Sequence, residues 1–590
     1  MSGEAVEGEA QSARLPVRLI IGLWLLLSVP SLFKAYLVDD TFHLLMAEHV
    51  LEHPSSPYSG TIHWGNDPVL MQQGAHPPLF YYALAAVAGL LGWSEPAMHV
   101  LTALSALVAL WCFARCASLM GLRDARVPLL LFAFFPAFVA GQNVMMEMPL
   151  LALLLAAFAL LLRARRTGRL LDHAGVALLL AAAALIKYVA LPLIVLHAAA
   201  IVVGMHWRAL PALLVPMAVL VGWTLWNIHE IGAPHLFAKA DAPHGGVPWF
   251  EYMACIGGLS FLAPLLYPWR NGRRLFIGVC ATAPIVLFGA GLAVAFRLIG
   301  EERIAPVLTG IFLINGACLT VLVPVAALRG IRPSLRALLE PRVLALGFAA
   351  ALALFHLLFA SFAAARYVLL SYPFLLLAAA PIIAQAPKRL VRIGIVLTVG
   401  LGLALGVSDF MHAGYYRRMA ARIEPVSDAR SFVVGHHGWQ WYACERGLVP
   451  YGTETTALRD GDVLYRAGFT GPQPIALPAG ARLDTLQALW EEPGPLTFFS
   501  VARVPRLYLS NLDLPVWTFS TSPIDTIHVL RVRRDREAAV QEIIRSIRAS
   551  PHWLESVRAK AEERGIGLDS MLVIDGRWVL EQEERDASLE

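Results

Sequence analysis

Charge is scarce in this chain. Asp, Glu, Lys and Arg make up 15% of its 590 residues, against roughly 25% in an ordinary soluble domain. The deficit is concentrated in residues 17 to 410 and ends after Asp409, where the sequence turns charged and mixed. Base is also missing from the start: residues 1 to 13 hold Glu4, Glu7 and Glu9 and no Lys or Arg. Without a basic leader or a small-x-small cleavage pattern, the apolar run Leu19 to Val38 reads as an uncleaved first span rather than a secretory signal. Cysteine is too sparse and too apolar in setting for a disulfide framework, and Cys444 stands alone in the C-terminal part. Low-complexity tracts and convincing internal repeats are lacking. A formal net charge of +4, carried by short basic clusters between apolar runs, gives no reason to invoke nucleic acid.

What is present is a long series of hydrophobic runs. Thirteen spans are expected, near 18–38, 97–119, 126–143, 147–162, 171–186, 189–205, 209–228, 250–268, 275–296, 304–327, 342–364, 367–386 and 391–409. The segment Leu79 to Trp93 is apolar but too short for a full crossing. Arg and Lys cluster in alternate loops, including Arg163, Arg165, Arg166 and Arg169, and again Lys388, Arg389 and Arg392. The positive-inside rule makes that side cytoplasmic. Asp39, Asp40, His76, Glu147, Lys187, the loop from His229 to Trp249 and Arg366 then share the opposite face. The expected organisation is a cytoplasmic tail (1–17), a membrane domain (18–410) whose first exported loop is 39–78, an exported α/β domain (411–535) and a helical tail (536–590). In the α/β domain, strands are expected at 431–435, 461–465, 498–504, 516–519 and 527–532, and helix at 415–430 and 536–565 with a break at Ser550-Pro551.

The exported loop opens on two adjacent acids, Asp39 and Asp40, and contains no Lys or Arg. One Asp at a helix start is an ordinary N-cap; capping needs only one. A helix would bring His43 within reach of either acid, a pairing suited to accepting a proton or holding a metal. The loop's other histidines, His49, His53, His63 and His76, match no metal-ligand spacing. Glu147 stands where an outward span turns back, as a helix-start acid or as a functional carboxylate. Lys187-Tyr188 and Arg366-Tyr367 interrupt apolar runs. Their bases either snorkel toward headgroups or bind phosphate.

The order of these motifs resembles a known family. After the first span come Asp39-Asp40, then His76-Pro77-Pro78-Leu79-Phe80-Tyr81-Tyr82, Gly92-Trp93-Ser94-Glu95, Met145-Met146-Glu147-Met148-Pro149, Leu185-Ile186-Lys187-Tyr188 and Arg366-Tyr367-Val368-Leu369-Leu370-Ser371-Tyr372-Pro373. Over residues 18 to about 410 the chain resembles the protein O-mannosyltransferase and lipid A aminoarabinose transferase superfamily, in a bacterial branch. The resemblance implies a polytopic GT-C-like membrane fold and transfer of a sugar from a polyprenyl-phosphate donor to a protein, lipid or glycan hydroxyl at a bacterial inner membrane. It implies Asp39 as the catalytic acid, with Asp40, Glu147 and His43 orienting the acceptor or a divalent cation, and Arg366, Lys187 and His76 toward the donor phosphate. Asp40 stands where the family usually has Glu, Glu147 where Asp is more frequent, and His76 where the aminoarabinose transferases have Lys. A transporter or flippase of a lipid-linked or anionic solute is the competing reading; its charges tend to lie at the midplane on broken helices, often with internal symmetry.

Overall fold

The computed structural model describes residues 16–74, 76–238, 248–266, 289–360, 362–426, 428–468, 473–493, 497–498, 507–508 and 515–589. It divides into two compact units. The first comprises residues 1–60, 70–414 and 493–522, and the second residues 61–69, 415–492 and 523–590. The division departs from a single cut near residue 410. A short piece of the first long loop belongs to the C-terminal unit, and the segment between two of that unit's strands belongs to the helical one.

The first unit is helical. Among the described residues, seven helices are long and apolar enough to cross a membrane: Glu95–Leu119, Glu147–Thr167, Trp207–Ile231, Glu302–Leu328, Pro341–Phe359, Ala365–Ile383 and Lys388–Ala421. Each coincides with an expected span. Val17–Ser31, Leu170–Ala184 and Tyr188–Val203 are also apolar but have 10–17 residues; at about 1.5 Å per residue they fall short of a 30 Å hydrocarbon core when straight. Leu79–Leu91, which the sequence denies a full crossing, is likewise a short helix. Two expected spans are broken. The run 126–143 forms Arg126–Ala133 and Pro136–Ala140, separated at Phe134-Phe135, because the residue ahead of a proline is pushed out of helical geometry. The run 250–268 stops at Leu259 and resumes at Ala263–Leu266. There Asn315 donates its side-chain N–H to the carbonyls of Gly257 and Ser260, at 2.6 and 2.8 Å, where the helix ends. The expected span 275–296 lies largely outside the described residues.

Glycines set two close helix contacts. A Cβ on Gly402 would stand 2.2 Å from the Phe134 carbonyl oxygen, and one on Gly406 2.6 Å from Val139. This four-residue spacing of small residues lets the Lys388–Ala421 helix lie directly on the broken 126–140 segment. Gly257 and Gly316 play the same part between Trp249–Leu259 and Glu301–Leu328. The Glu147–Thr167 helix carries its acid in the first turn and Arg165 and Arg166 in the last, and ends on Gly168 at φ +60°. Both ends thus complement the helix dipole, and glycine supplies the left-handed stop.

The second unit holds a mixed five-stranded sheet of β1 (Ser431–Val434), β2 (Val449–Pro450), β3 (Val463–Ala467), β4 (Ala481–Leu489) and β5 (Ile527–Arg534), in the order β2-β1-β3-β5-β4. β1 is parallel to both neighbours, whereas β5 is antiparallel to β3 and β4. Phe432, Val434, Leu464, Leu530 and Val532 form its core with Tyr451 and Leu458. Strand β4 is absent from the sequence reading: it is short of buried residues and its alternation is weak. Residues 516–519 are not a strand; Ser520 forms only an isolated bridge to Thr497. The expected strand at 498–504 lies almost wholly outside the described residues. The chain before the sheet is the end of the Lys388–Ala421 helix. The tail forms Arg536–Ala549, Pro551–Arg564 and Leu568–Leu589, joined at Ser550-Pro551 as expected and packed around a core of their own.

Candidate active site

Asp39 precedes the Asp40–Glu52 helix, and its carbonyl accepts the His43 N–H at 3.1 Å. The capping side chain is not Asp39. Asp40 turns back to accept the Leu37 N–H at 2.9 Å, and its carboxyl is fully buried. The two acids are therefore divided: one Asp40 oxygen serves the backbone and Asp39 points elsewhere.

Asp39 points at Arg366. The Arg366 Nη1 donates to Asp39 Oδ2, across 327 residues of sequence. Arg366 Nε lies 3.9 Å from Glu147 Oε1, and the same Glu147 oxygen accepts from Lys187 Nζ at 2.9 Å. Two acids and two bases thus alternate in one chain, Asp39–Arg366–Glu147–Lys187. Tyr367 backs both bases, its ring centroid 4.7 Å from Lys187 Nζ and 5.5 Å from Arg366 Cζ. Glu147 is 4% exposed and Asp39 21%, so Asp39 is the carboxylate that a substrate can reach. Glu147 and Arg366 sit in the first turns of their helices, which explains why both bring a charge to the same end of the unit.

A small cleft adjoins this chain, lined by Asn143, Met145, Glu147, Arg366, Leu507 and Tyr508 among others; its free volume of about 10 Å³ is room for roughly one water molecule. Leu507 is fixed there by its carbonyl, which accepts the Ala365 N–H at 2.9 Å.

His43 is buried against Phe42, Phe80 and Tyr81. Burial lowers its pKa to about 4, against the pull of Asp39 and Glu147, so it is neutral at pH 7. Burial likewise pushes the Asp40 carboxyl up to about 8, opposed by the Leu37 N–H and the nearby Lys34. At pH 7 burial therefore favours the neutral form of both side chains. His76 is held by its main chain: its N–H donates to the Tyr81 hydroxyl at 3.0 Å and its carbonyl accepts from Tyr58 at 2.6 Å. The Leu79 N–H reaches the Leu185 carbonyl at 3.1 Å, which seats the Pro77-Pro78 turn beside the strand of chain leading to Lys187. Tyr188 completes that wall, with Trp223 and His235 both 3.0 Å from its hydroxyl. Among the described residues no three of His, Cys, Asp and Glu are grouped so as to hold a metal ion. Asp39 and Glu147 both face bases.

A second polar cluster was not among the residues singled out from the sequence. Lys34 and Asp409 form an ion pair at 4% and 0% side-chain exposure. Lys34 also donates to Asn143 Oδ1 and to the Ala140 carbonyl. Asn143 donates to the Tyr508 hydroxyl at 2.8 Å, and that hydroxyl lies 2.9 Å from both Asp409 oxygens. Asn143 and Tyr508 line the same cleft as Arg366. The available signal was a single Lys late in the first apolar run and a single Asp late in the last.

No protein-family profile and no curated protein matches the chain. Solved structures do. The chain is similar to ArnT from Cupriavidus metallidurans bound to undecaprenyl phosphate, with 16% identity and a TM-score of 0.39 over 77% of this chain and 92% of that one. The apo state of the same protein gives 15% and 0.36, over 77% and 93%. The arabinosyltransferase EmbB from Mycobacterium smegmatis gives 14% and 0.31, over 90% of this chain and 66% of that one.

Proposed function

We propose that this chain is a membrane glycosyltransferase of the bacterial inner membrane. It moves a sugar from a polyprenyl-phosphate donor to a hydroxyl acceptor on the non-cytoplasmic face, where its C-terminal unit also lies. The observation that carries this reading is the convergence of Asp39, Glu147, Lys187 and Arg366, drawn from four distant parts of the chain, in one charged cluster whose Glu147 and Arg366 line a small cleft. A reachable carboxylate beside a planar two-pronged cation is what such a transfer requires. Asp39 accepts the acceptor hydroxyl's proton as the oxygen attacks the anomeric carbon. The bond from that carbon to the phosphate oxygen breaks, and its electron pair leaves on the lipid phosphate, which Arg366 and Lys187 stabilise. One displacement inverts the anomeric centre. Glu147 accepts from Lys187 and lies beside Arg366, and His76 supports the turn beside Lys187. The apolar helices give a lipid-tethered donor lateral access from the bilayer.

The test is transfer from purified polyprenyl-phosphate sugars by the chain reconstituted in vesicles. Asp39→Asn and Arg366→Gln should each lower turnover at least a hundredfold with unchanged folding. Near-normal turnover in Asp39→Asn removes it as the base. One observation favours the runner-up, a transporter or flippase: the Lys34–Asp409 pair is buried among apolar helices, as charges on solute pathways are. Movement of the lipid-linked donor across the vesicle membrane without any transfer would establish that reading instead.

A further inference from the structure

The base proposed for catalysis and the cation proposed for the donor phosphate are bonded to each other. Arg366 gives Asp39 a charge-assisted hydrogen bond, and Lys187 gives one to Glu147. Within the chain Asp39–Arg366–Glu147–Lys187, two negative charges meet two positive ones. A carboxylate in such a pair is a weak proton acceptor, because its lone pairs and charge already serve the guanidinium. A guanidinium so occupied offers fewer of its donors to phosphate. The site therefore neutralises itself.

Resting on the glycosyltransferase reading, we infer that the lipid phosphate activates its own site by exchange: it takes Arg366 from Asp39 and thereby frees Asp39 as the base. The geometry permits this without moving a helix. Arg366 Nε also lies 3.9 Å from Glu147, so the guanidinium keeps a carboxylate neighbour when Asp39 is released. Asp39 is the more exposed of the two acids and stands at the end of a loop, where a side-chain rotation suffices. The charge balance also closes. The donor phosphodiester brings one negative charge. On transfer the acceptor proton neutralises Asp39 while the phosphate gains the electron pair of the broken bond. The net charge of the site is unchanged by the chemical step. An acceptor arriving first meets a carboxylate committed to Arg366 and is not deprotonated. Ordered binding with the lipid donor first is the consequence, and it prevents Asp39 from activating water at an empty site.

The exchange makes Asp39 a competitor of the phosphate for Arg366, which is measurable without turnover. The probe is undecaprenyl phosphate, titrated into the full chain in lipid nanodiscs. Asp39→Asn should bind it about tenfold or more tightly than the unsubstituted chain, and Arg366→Gln should bind it far more weakly. Asp39→Ala tests the same competition should Asp39→Asn fail to fold, and should also gain affinity. Equal or weaker binding in both Asp39 variants overturns the exchange and leaves the transferase reading standing. Binding that Arg366→Gln leaves untouched, or no binding by any form, overturns the phosphate site and the reading beneath it.

Discussion

Lys34 gives the sharpest test of the structure, because its predicted effect needs no assumption about activity. Its ammonium has three partners, the Ala140 carbonyl at 3.0 Å, Asn143 Oδ1 and the Asp409 carboxylate. Replacement by Met preserves the length and apolar stem of the side chain and deletes all three bonds. Asp409, fully buried, would keep only the Tyr508 hydroxyl. The Asn143 oxygen and the carbonyl at the end of the short Pro136–Ala140 helix would lose a donor as well. Stranding one partner of a buried ion pair costs roughly 3–5 kcal/mol. For a cooperative unit of this kind that corresponds to a drop in melting temperature on the order of 10 °C. The assay is thermal denaturation of the detergent-solubilised chain, followed by intrinsic fluorescence. The double variant Lys34→Met/Asp409→Asn removes the stranded charge and should recover more than half of the loss, giving a coupling energy of about 2 kcal/mol. If Lys34→Met melts within about 2 °C of the parent, or if the double variant is worse than the sum of the singles, the buried pair is not what joins the first and last apolar runs.

Asp40 sets a pH dependence. Its folded pKa is raised from 3.8 to about 8, so folding takes up a proton between those values. Its contribution to stability is whole below pH 4 and is lost as pH rises through 8. Melting temperature should therefore fall more steeply from pH 5 to pH 9 in the parent than in Asp40→Asn; parallel curves would refute the buried neutral carboxyl. Tyr508→Phe deletes the hydroxyl shared by Asn143 and Asp409. It should cost about 1–3 kcal/mol of stability, measured by the same melts, and slow sugar transfer several-fold. In the C-terminal unit Arg430 grips Asp462 at 3.0 and 2.7 Å, and the Arg459 N–H donates to the same carboxylate at 2.7 Å. Asp462→Ala should destabilise that unit by about 2–3 kcal/mol, detectable as earlier proteolysis of the sheet on heating.

Much of the site was legible in the residues themselves. Asp39, Glu147, Lys187 and Arg366 each interrupt an apolar stretch, and a charge there is costly without a partner. Composition and loop charge lead to the expectation that all four share one face. What the pattern does not contain is who pairs with whom. Asp39 and Asp40 are adjacent acids of the same type, and only the backbone at Leu37 decides that Asp40 turns inward and Asp39 toward Arg366. His43 and His76 belong to the same motifs, yet packing against Phe80 and Tyr81 makes one a neutral buried ring and main-chain bonds fix the other.

By itself the sequence determined the apolar, span-rich character of residues 17–410, the mixed character of the C-terminal unit and the four charges of the candidate site, because hydrophobic periodicity and isolated charges are local properties of a chain; it expected thirteen spans, of which seven are long helices among the described residues. Tertiary structure decided the break after Leu259, that residues 493–522 group with the helical unit, and that Lys34, Asn143, Asp409 and Tyr508 form one buried cluster. Those outcomes depend on close approach between distant segments, such as Gly402 and Gly406 against Phe134 and Val139, and the fit of two surfaces is not written in either one alone.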